Sequence, residues 1–271
     1  YPRYRANALY EQAQNAYQRQ DYPQSLALCR KIISGGWCLL PEPKQANVLI
    51  NAGNCLYEME KYTDSIDYFA RAAEIVEKHN LLSQIDAPSW LYARWGDSLK
   101  EKQEDANAEK IYQHGIELFR VVYGMSYPGI AMLQVRLGKM YLYNEEYSKS
   151  LVCLESAVAN RFYIREQNGL NKAYLYGNLA AAYCHNNKLN EANAMYIQSI
   201  DLMKKCFGDK SAHLAIEYSG LALVRYKQKK FMEAIKFLDL AYDIFLEQKG
   251  CEYHVTRIAK LREEWKQESQ K

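Results

Sequence analysis

A polar turn followed by an aromatic residue or leucine recurs along the chain. It appears at Tyr22 (QDYPQSL), Tyr62 (EKYTDSI), Tyr147 (EEYSKSL), Leu189 (NKLNEAN) and Phe231 (KKFMEAI), and Asp105 (QEDANAE) fills the place between Tyr62 and Tyr147. These markers stand 40, 43, 42, 42 and 42 residues apart. A period of that length, held over most of 271 residues, restricts the chain to a repeat architecture in which each supersecondary unit packs on its neighbours.

Each unit has the same internal pattern. Nine residues before the marker stands a small residue: Ala13, Gly53, Gly96, Gly138, Ala180 and Ala222. Three residues after it comes another: Ser25, Ser65, Ala108, Ser150, Ala192 and Ala234. Ten residues after it comes a third position: Ile32, Ala72, Gly115, Ala157, Ser199 and Ala241. Small residues at fixed helical offsets let two helices approach closely, and Leu and Tyr fill the space beside them, as at Leu137 with Tyr141 and Leu179 with Tyr183. Pro41, Pro43, Pro88 and Pro128 all fall between units, where a missing N–H is harmless. Each repeat is therefore expected to be two antiparallel helices joined by a short polar turn.

The pattern resembles the tetratricopeptide family, whose L-G-x-x-Y…A-x-x-x-F…A signature is matched best by Leu137, Gly138 and Tyr141 and by Gly53, Phe69 and Ala72. The usual period of that family is about 34 residues. The longer period here implies extra residues in the helices and in the connections. YGMSYPGIA and FGDKSAHLA, at 123–131 and 207–215, are similar to the inter-repeat loops of kinesin light chain repeats, and YGNLAAAY is similar to a helix of that family. The resemblance departs at the His-Pro pair of those loops, which is Tyr127-Pro128 in one and Ala212-His213 in the other.

The expected fold is all-α, a right-handed superhelical solenoid of about six helix pairs near residues 5–38, 45–78, 89–122, 131–164, 173–206 and 215–248, so that 1–250 form the array. A solenoid needs its terminal apolar face covered. The tail CEYHVTRIAKLREEWKQ places Val255, Ile258, Leu261 and Trp265 at helical spacing, so residues 251–271 are expected to be a capping helix.

Composition narrows the function classes. A net charge of +3 is too small to argue for nucleic acid or an anionic membrane surface, and no apolar run is long enough to span a bilayer. Seven cysteines occur without a C-x-x-C pair, mostly within apolar helical stretches, which reads as buried reduced thiols in a cytoplasmic protein. The chain opens at Tyr1 without a signal-peptide pattern, the expectation for a segment cut from a longer protein.

No Gly-rich phosphate loop, H-E-x-x-H or G-x-S-x-G occurs. The five histidines lack metal-ligand spacing. Cys184 and His185 are adjacent but point about 100° apart around a helix, so they do not form a nucleophile–base pair. The expectation is a protein that is not an enzyme and carries no cofactor or metal.

In a stacked array the first helix of each pair lines the concave face. Positions 2, 6, 9 and 13 of that helix share a face distinct from the packing face at position 8. Along the chain this face carries Asn47, Asn51, Asn54 and Glu58; Trp90, Arg94, Asp97 and Glu101; Met132, Arg136, Lys139 and Tyr143; and Tyr174, Asn178, Ala181 and His185. A carboxamide donates and accepts, so it can grip a peptide bond whatever the ligand's side chain. Arg94, Arg136 and Lys139 suit a ligand carboxylate, while Trp90, Tyr143 and Tyr174 offer stacking surface. In the family it resembles, an asparagine at the position of Asn178 contacts ligand backbone and basic groove residues contact acidic side chains, which singles out Asn51, Arg94, Arg136 and Asn178.

The expected peptide-binding groove is thus Asn47, Asn51, Asn54, Trp90, Arg94, Arg136, Lys139, Tyr143, Tyr174 and Asn178. Its ligand would be a protein or peptide segment, an acidic one by the charge argument. The mixed sign of the face argues against nucleic acid. The other reading is a peptide-sensing or autoregulatory domain that controls a domain outside this chain. Arg136, expected to be exposed, should tolerate Arg136→Glu without unfolding, and the loops at 34–44 and 79–88 are candidate gates over the groove.

Overall fold

The computed structural model describes residues 2–269, and among them all regular structure is helical. The expected turns separate long helices: α1 (Pro2–Gln18), α2 (Tyr22–Gly35), α3 (Glu42–Glu58), α4 (Tyr62–Lys78), α5 (Pro88–Glu101), α6 (Asp105–Tyr123), α7 (Pro128–Tyr143), α8 (Tyr147–Ala159), α9 (Arg161–Glu166), α10 (Gly169–His185), α11 (Leu189–Phe207), α12 (Ala212–Lys227), α13 (Phe231–Leu246) and α14 (Glu252–Glu268). The chain divides after Arg136, within α7, into two compact units. In the first, α1 packs on α2, α3 on α4 and α5 on α6, with α1 beside α3 and α3 beside α5. In the second, α10 packs on α11 and α12 on α13, with α8 and α12 each beside α10 and α14 on α13.

Every turn inside a pair is closed in the same way. The residue two before each marker, Gln20, Glu60, Gln103, Glu145, Asn187 or Lys229, is left-handed with φ between 59° and 62°. The next N–H reaches back five residues, as from Asp21 to the Ala16 carbonyl at 2.9 Å and from Lys188 to the Tyr183 carbonyl at 2.9 Å. This Schellman closure satisfies the last carbonyls of the helix and reverses the chain. It uses polar residues where glycine is commoner, so each turn holds modest backbone strain. At the ends of α6 and α11 the constraint is stricter. Gly124 (φ 82°, ψ 172°) and Gly208 (φ 75°, ψ −171°) occupy a region open essentially to glycine alone.

All the small residues of the repeat pattern are buried, and the structure shows what each makes room for. A Cβ on Gly53 would stand 2.7 Å from the Phe69 ring, and one on Gly138 2.6 Å from Leu154 Cγ. At Gly96 it would meet the Tyr112 ring. Sixteen residues separate the partners each time, and the same register pairs Ala180 with Tyr196 and Ala222 with Leu238, all buried. Two of the three serines at the second small position fasten their pair: Ser25 Oγ donates to the Ala13 carbonyl and Ser150 Oγ to the Gly138 carbonyl, both at 2.8 Å, while Ser65 Oγ bonds the Tyr62 carbonyl and Ser98.

Two details, in α8–α9 and in the cysteines, depart from the sequence expectation. The segment near 131–164 is not one uninterrupted pair, because α8 ends at Ala159 and the chain bends into the short α9. Asn160 causes the break by accepting from the Tyr163 N–H at 2.9 Å as an N-cap. Cys29, Cys55 and Cys184 are buried as expected of reduced thiols, but Cys38, within the 3-10 turn that follows α2, and Cys206, in the last turn of α11, are exposed. Helix α14 ends at Glu268, and Gln270 and Lys271 of the expected 251–271 helix lie outside the described residues. Ile258 and Trp265 are buried, Val255 and Leu261 pack beside them, and the Trp265 ring stacks on Tyr226 at 4.4 Å.

Overpacking one close approach should be felt directly. Gly138→Leu is expected to lower the unfolding free energy by about 1–3 kcal/mol, read as a reduced midpoint in urea denaturation followed by circular dichroism.

Candidate functional site

The first unit contains a cleft of about 560 Å³, within the range of ligand sites. Helices α1, α3 and α5 supply its walls, through Gln14, Tyr17 and Gln18, then Asn47, Asn51 and Asn54, then Trp90 and Arg94. Asp86 and Ala87, from the loop before α5, complete the rim. Five of the ten sequence candidates therefore converge on one concavity, on the face their spacing assigns to them.

The three asparagines of α3 have different roles. Asn47 is engaged by the loop: its Oδ1 accepts the Asp86 N–H at 3.1 Å and its Nδ2 donates to Asp86 Oδ2 at 3.2 Å. Gln14 Nε2 donates to the Tyr10 hydroxyl at 2.7 Å and to Asp86 Oδ2 at 3.5 Å. The Tyr10 phenol, mostly buried, has its pKa pushed up to about 12 by burial. Leu81, Leu82 and Ile85 anchor the loop from below. The 79–88 loop is thus a fixed wall of the cleft.

Among the described residues, Asn51 Oδ1 meets only two long contacts, Ser25 Oγ at 3.5 Å and Cys55 Sγ at 3.7 Å. Asn54 Oδ1 is buried and bonds nothing among the described residues. These two amides hold unused hydrogen-bonding capacity inside the cleft.

The arginines are not bare charges. Arg94 meets Glu58 at 2.7 Å, with its guanidinium over the rings of Tyr57 (4.4 Å) and Trp90 (5.5 Å). Arg136 Nε donates to both oxygens of Asp97, at 3.1 and 3.0 Å, and its guanidinium lies 5.4 Å from the Trp90 ring centre. Asp97 also accepts from the buried Tyr112 hydroxyl at 2.6 Å. This corrects two sequence expectations. Arg136 is half-buried, so Arg136→Glu would set a second carboxylate against Asp97 inside a packed network. The positive charge attributed to Arg94 and Arg136 is largely neutralised within the protein, because carboxylates one repeat back reach them.

The other four candidates belong to the second unit. Lys139 and Tyr143 are exposed on α7, the tyrosine at 88%. Tyr174, on α10, has its hydroxyl 3.2 Å from His213 Nε2 of α12. Asn178 is half-buried one turn further along α10, with no side-chain hydrogen bond among the described residues. Sequence reasoning left Asp86 and Tyr57 out of the site. Asp86 lies in a non-repeated loop, while Tyr57 sits one residue off the predicted face.

The Cys184 thiol is buried and raised in pKa by that burial, and His185 stacks on Tyr147 at 4.0 Å with its pKa lowered by burial and Lys227. Among the described residues no group of three or more His, Cys, Asp or Glu is placed to hold a metal, and no helix is long and apolar enough to cross a membrane.

Residues 171–247 match the tetratricopeptide repeat family profile. Solved structures extend the likeness well beyond that segment. BtubC (BKLC) from P. vanneervenii superposes with a TM-score of 0.64 at 18% identity, over 75% of this chain and 83% of its own. The fold is that of the tetratricopeptide repeats. A signal-transduction ATPase with a tetratricopeptide repeat sensor, from Pyrococcus horikoshii, gives a TM-score of 0.66 at 16% identity over 97% of this chain, which spans 43% of that larger protein. YrrB, a tetratricopeptide repeat protein with an unusual peptide-binding site, gives 0.56 at 15% identity over 78% of this chain and 92% of its own. No curated protein matches the chain in sequence.

Cutting the loop's tie to α3 should loosen the cleft wall. Asp86→Ala is expected to cost about 1 kcal/mol of local stability and to speed amide hydrogen exchange across residues 81–87, with the helices of the second unit unchanged.

Proposed function

We propose that this tetratricopeptide repeat protein is an interaction module that binds an extended peptide or a disordered segment of a protein partner in the cleft of α1, α3 and α5. The observation that carries the reading is the pair Asn51 and Asn54 on the cleft wall, where Asn51 Oδ1 has only long contacts and the buried Asn54 Oδ1 has none among the described residues, so that a turn of the Asn54 side chain would present it to a ligand. Carboxamides answer both the N–H and the C=O of a peptide bond, and the exposed edge of Trp90 offers an apolar seat beside them. That YrrB has a peptide-binding site on the same fold agrees with this use.

The finer, acidic preference rests on Arg94 and Arg136. An acidic side chain would reach them by exchange with Glu58 and Asp97, so it gains only the difference between two ion pairs. Main-chain recognition is therefore the larger contributor, and acidic selection is secondary. Function by binding rather than catalysis, and work in a reducing compartment such as the cytoplasm, accord with the buried thiols, of which Cys29 and Cys55 are pushed up to about 12 and about 11 by burial. The likeness to a repeat sensor in a larger ATPase supports a second reading, in which the bound segment regulates a neighbouring domain.

Selection of displayed random peptides against the wild-type chain, repeated with Asn51→Ala, Asn54→Ala, Trp90→Ala combined, tests the proposal. Enriched peptides are expected to bind the variant at least about tenfold more weakly, a loss of about 1.4 kcal/mol, while its thermal melting stays cooperative. Equal affinity for a folded variant would move recognition away from the cleft.

A further inference from the structure

Five residues before the small position, in every first helix from α3 onward, stands a residue of the inter-repeat contact. Val48, Leu91, Leu133 and Leu175 occupy this place in α3, α5, α7 and α10, and all are buried. In α12 the place is taken by Glu217, buried to 7% exposure. The neighbours match as well. Leu133 Cδ1 fills the space beside Gly115, where a Cβ would stand 2.7 Å away, and Glu217 lies beside Ser199 at the corresponding position of α11. On α10 it rests against Gly177, where any Cβ would collide with its carboxyl. Gly177 and Glu217 are thus fitted to one another.

The seam has not supplied what a carboxylate needs. Glu217 Oε2 is buried and has no hydrogen-bond partner among the described residues. The one proton of the Ser199 hydroxyl goes to the Ala173 carbonyl at 2.8 Å, which leaves its oxygen able to accept. A neutral Glu217 can donate to that oxygen; an ionised one gains the Ser199 proton only by drawing it away from the Ala173 carbonyl. Burial raises the Glu217 pKa from 4.5 to about 7, against the opposing effect of Ser199. The titratable groups near the seam are Tyr196 of α11, with its own proton held by burial and by Glu217, and Lys204 of α11 over the Tyr218 ring; Tyr174, Cys184 and His185 of α10; and His213, Tyr218 and Lys227 of α12, whose ammonium donates to the Cys184 carbonyl. His213 is bonded to Tyr174.

We propose that Glu217 makes the α10–α12 seam a proton-controlled joint, closed when its carboxyl is neutral and loosened when the carboxyl ionises and is drawn toward water. The joint governs the setting of α10, which carries Tyr174 and Asn178, and it holds whether or not the cleft of the first unit binds peptide. An unfolded chain releases this proton near pH 4.5 and the folded chain near pH 7. Glu217 therefore costs nothing in stability below the lower value. Its cost grows as pH rises between the two and is complete above the higher one.

The test is the melting temperature of the full chain from pH 4.5 to 8.5 for wild type, Glu217→Leu and Glu217→Gln, with every variant keeping His213 so that its titration cancels. The wild type is expected to lose several degrees relative to Glu217→Gln between pH 5 and pH 8, and Glu217→Leu to melt above wild type at pH 8. Should leucine overpack against Gly177, the glutamine difference still reads the effect. Amide exchange in α10 and α12, corrected for intrinsic rates, is expected to be faster at pH 8 than at pH 5.5 in wild type only. Parallel pH profiles for wild type and Glu217→Gln, with equal exchange in the two helices, would overturn the proposal.

Discussion

Everything in this protein depends on how closely two helices of a pair can approach. At Gly53, Gly96 and Gly138 the approach leaves no room for a single carbon, and the space goes to Phe69, Tyr112 and Leu154 of the facing helix. Apolar burial and close packing supply the gain; the register of small against large residues decides which helices pair and where along their length. Because the turn between them is closed by the same left-handed residue and the same backward hydrogen bond each time, the chain repeats one geometric step. A face of α1, α3 and α5 that plays no part in this packing is what remains to line the cleft.

The cleft inherits its chemistry from that arrangement. Side chains at fixed positions of successive first helices meet across a repeat, so the partner of a groove residue is commonly one repeat away. Glu58 reaches Arg94, Asp97 reaches Arg136, and Asn47 reaches the loop before α5. The protein thereby neutralises Arg94 and Arg136 on this face and leaves amides, among them Asn51 and Asn54, and an indole edge with capacity to spare. A surface of that kind suits main-chain recognition, which is tolerant of sequence, more than it suits capture of one charged side chain.

Much of this was legible in the sequence, because a repeat reports the same packing several times over. The helix pairs, the small positions, the polar turns and the stripe Val255, Ile258, Leu261, Trp265 follow from periodicity alone. Elements that break the period were not legible. Asn160 ends α8 by an N-cap bond that any asparagine in a helix could be thought to make, and Asp86 belongs to a loop with no counterpart elsewhere. The neutralisation of Arg94 and Arg136 was hidden for another reason: Glu58 and Asp97 lie on the same predicted face, but their reach across to the next repeat depends on side-chain direction, which spacing does not contain. Glu217 did leave a signal, a lone acid in a register otherwise filled by Ala8, Val48 and three leucines, visible only when the residues five before the small position are read side by side.

The central claim is that Asn51 and Asn54 grip a ligand's main chain while Asn47 serves the protein's own loop. Side-chain amide NMR signals of these three asparagines, assigned by substitution and followed during titration with a display-selected peptide, test it most directly. The account predicts large saturable shifts for Asn51 and Asn54, with Asn47 nearly still. Saturable binding that leaves the Asn51 and Asn54 amides unmoved would contradict it.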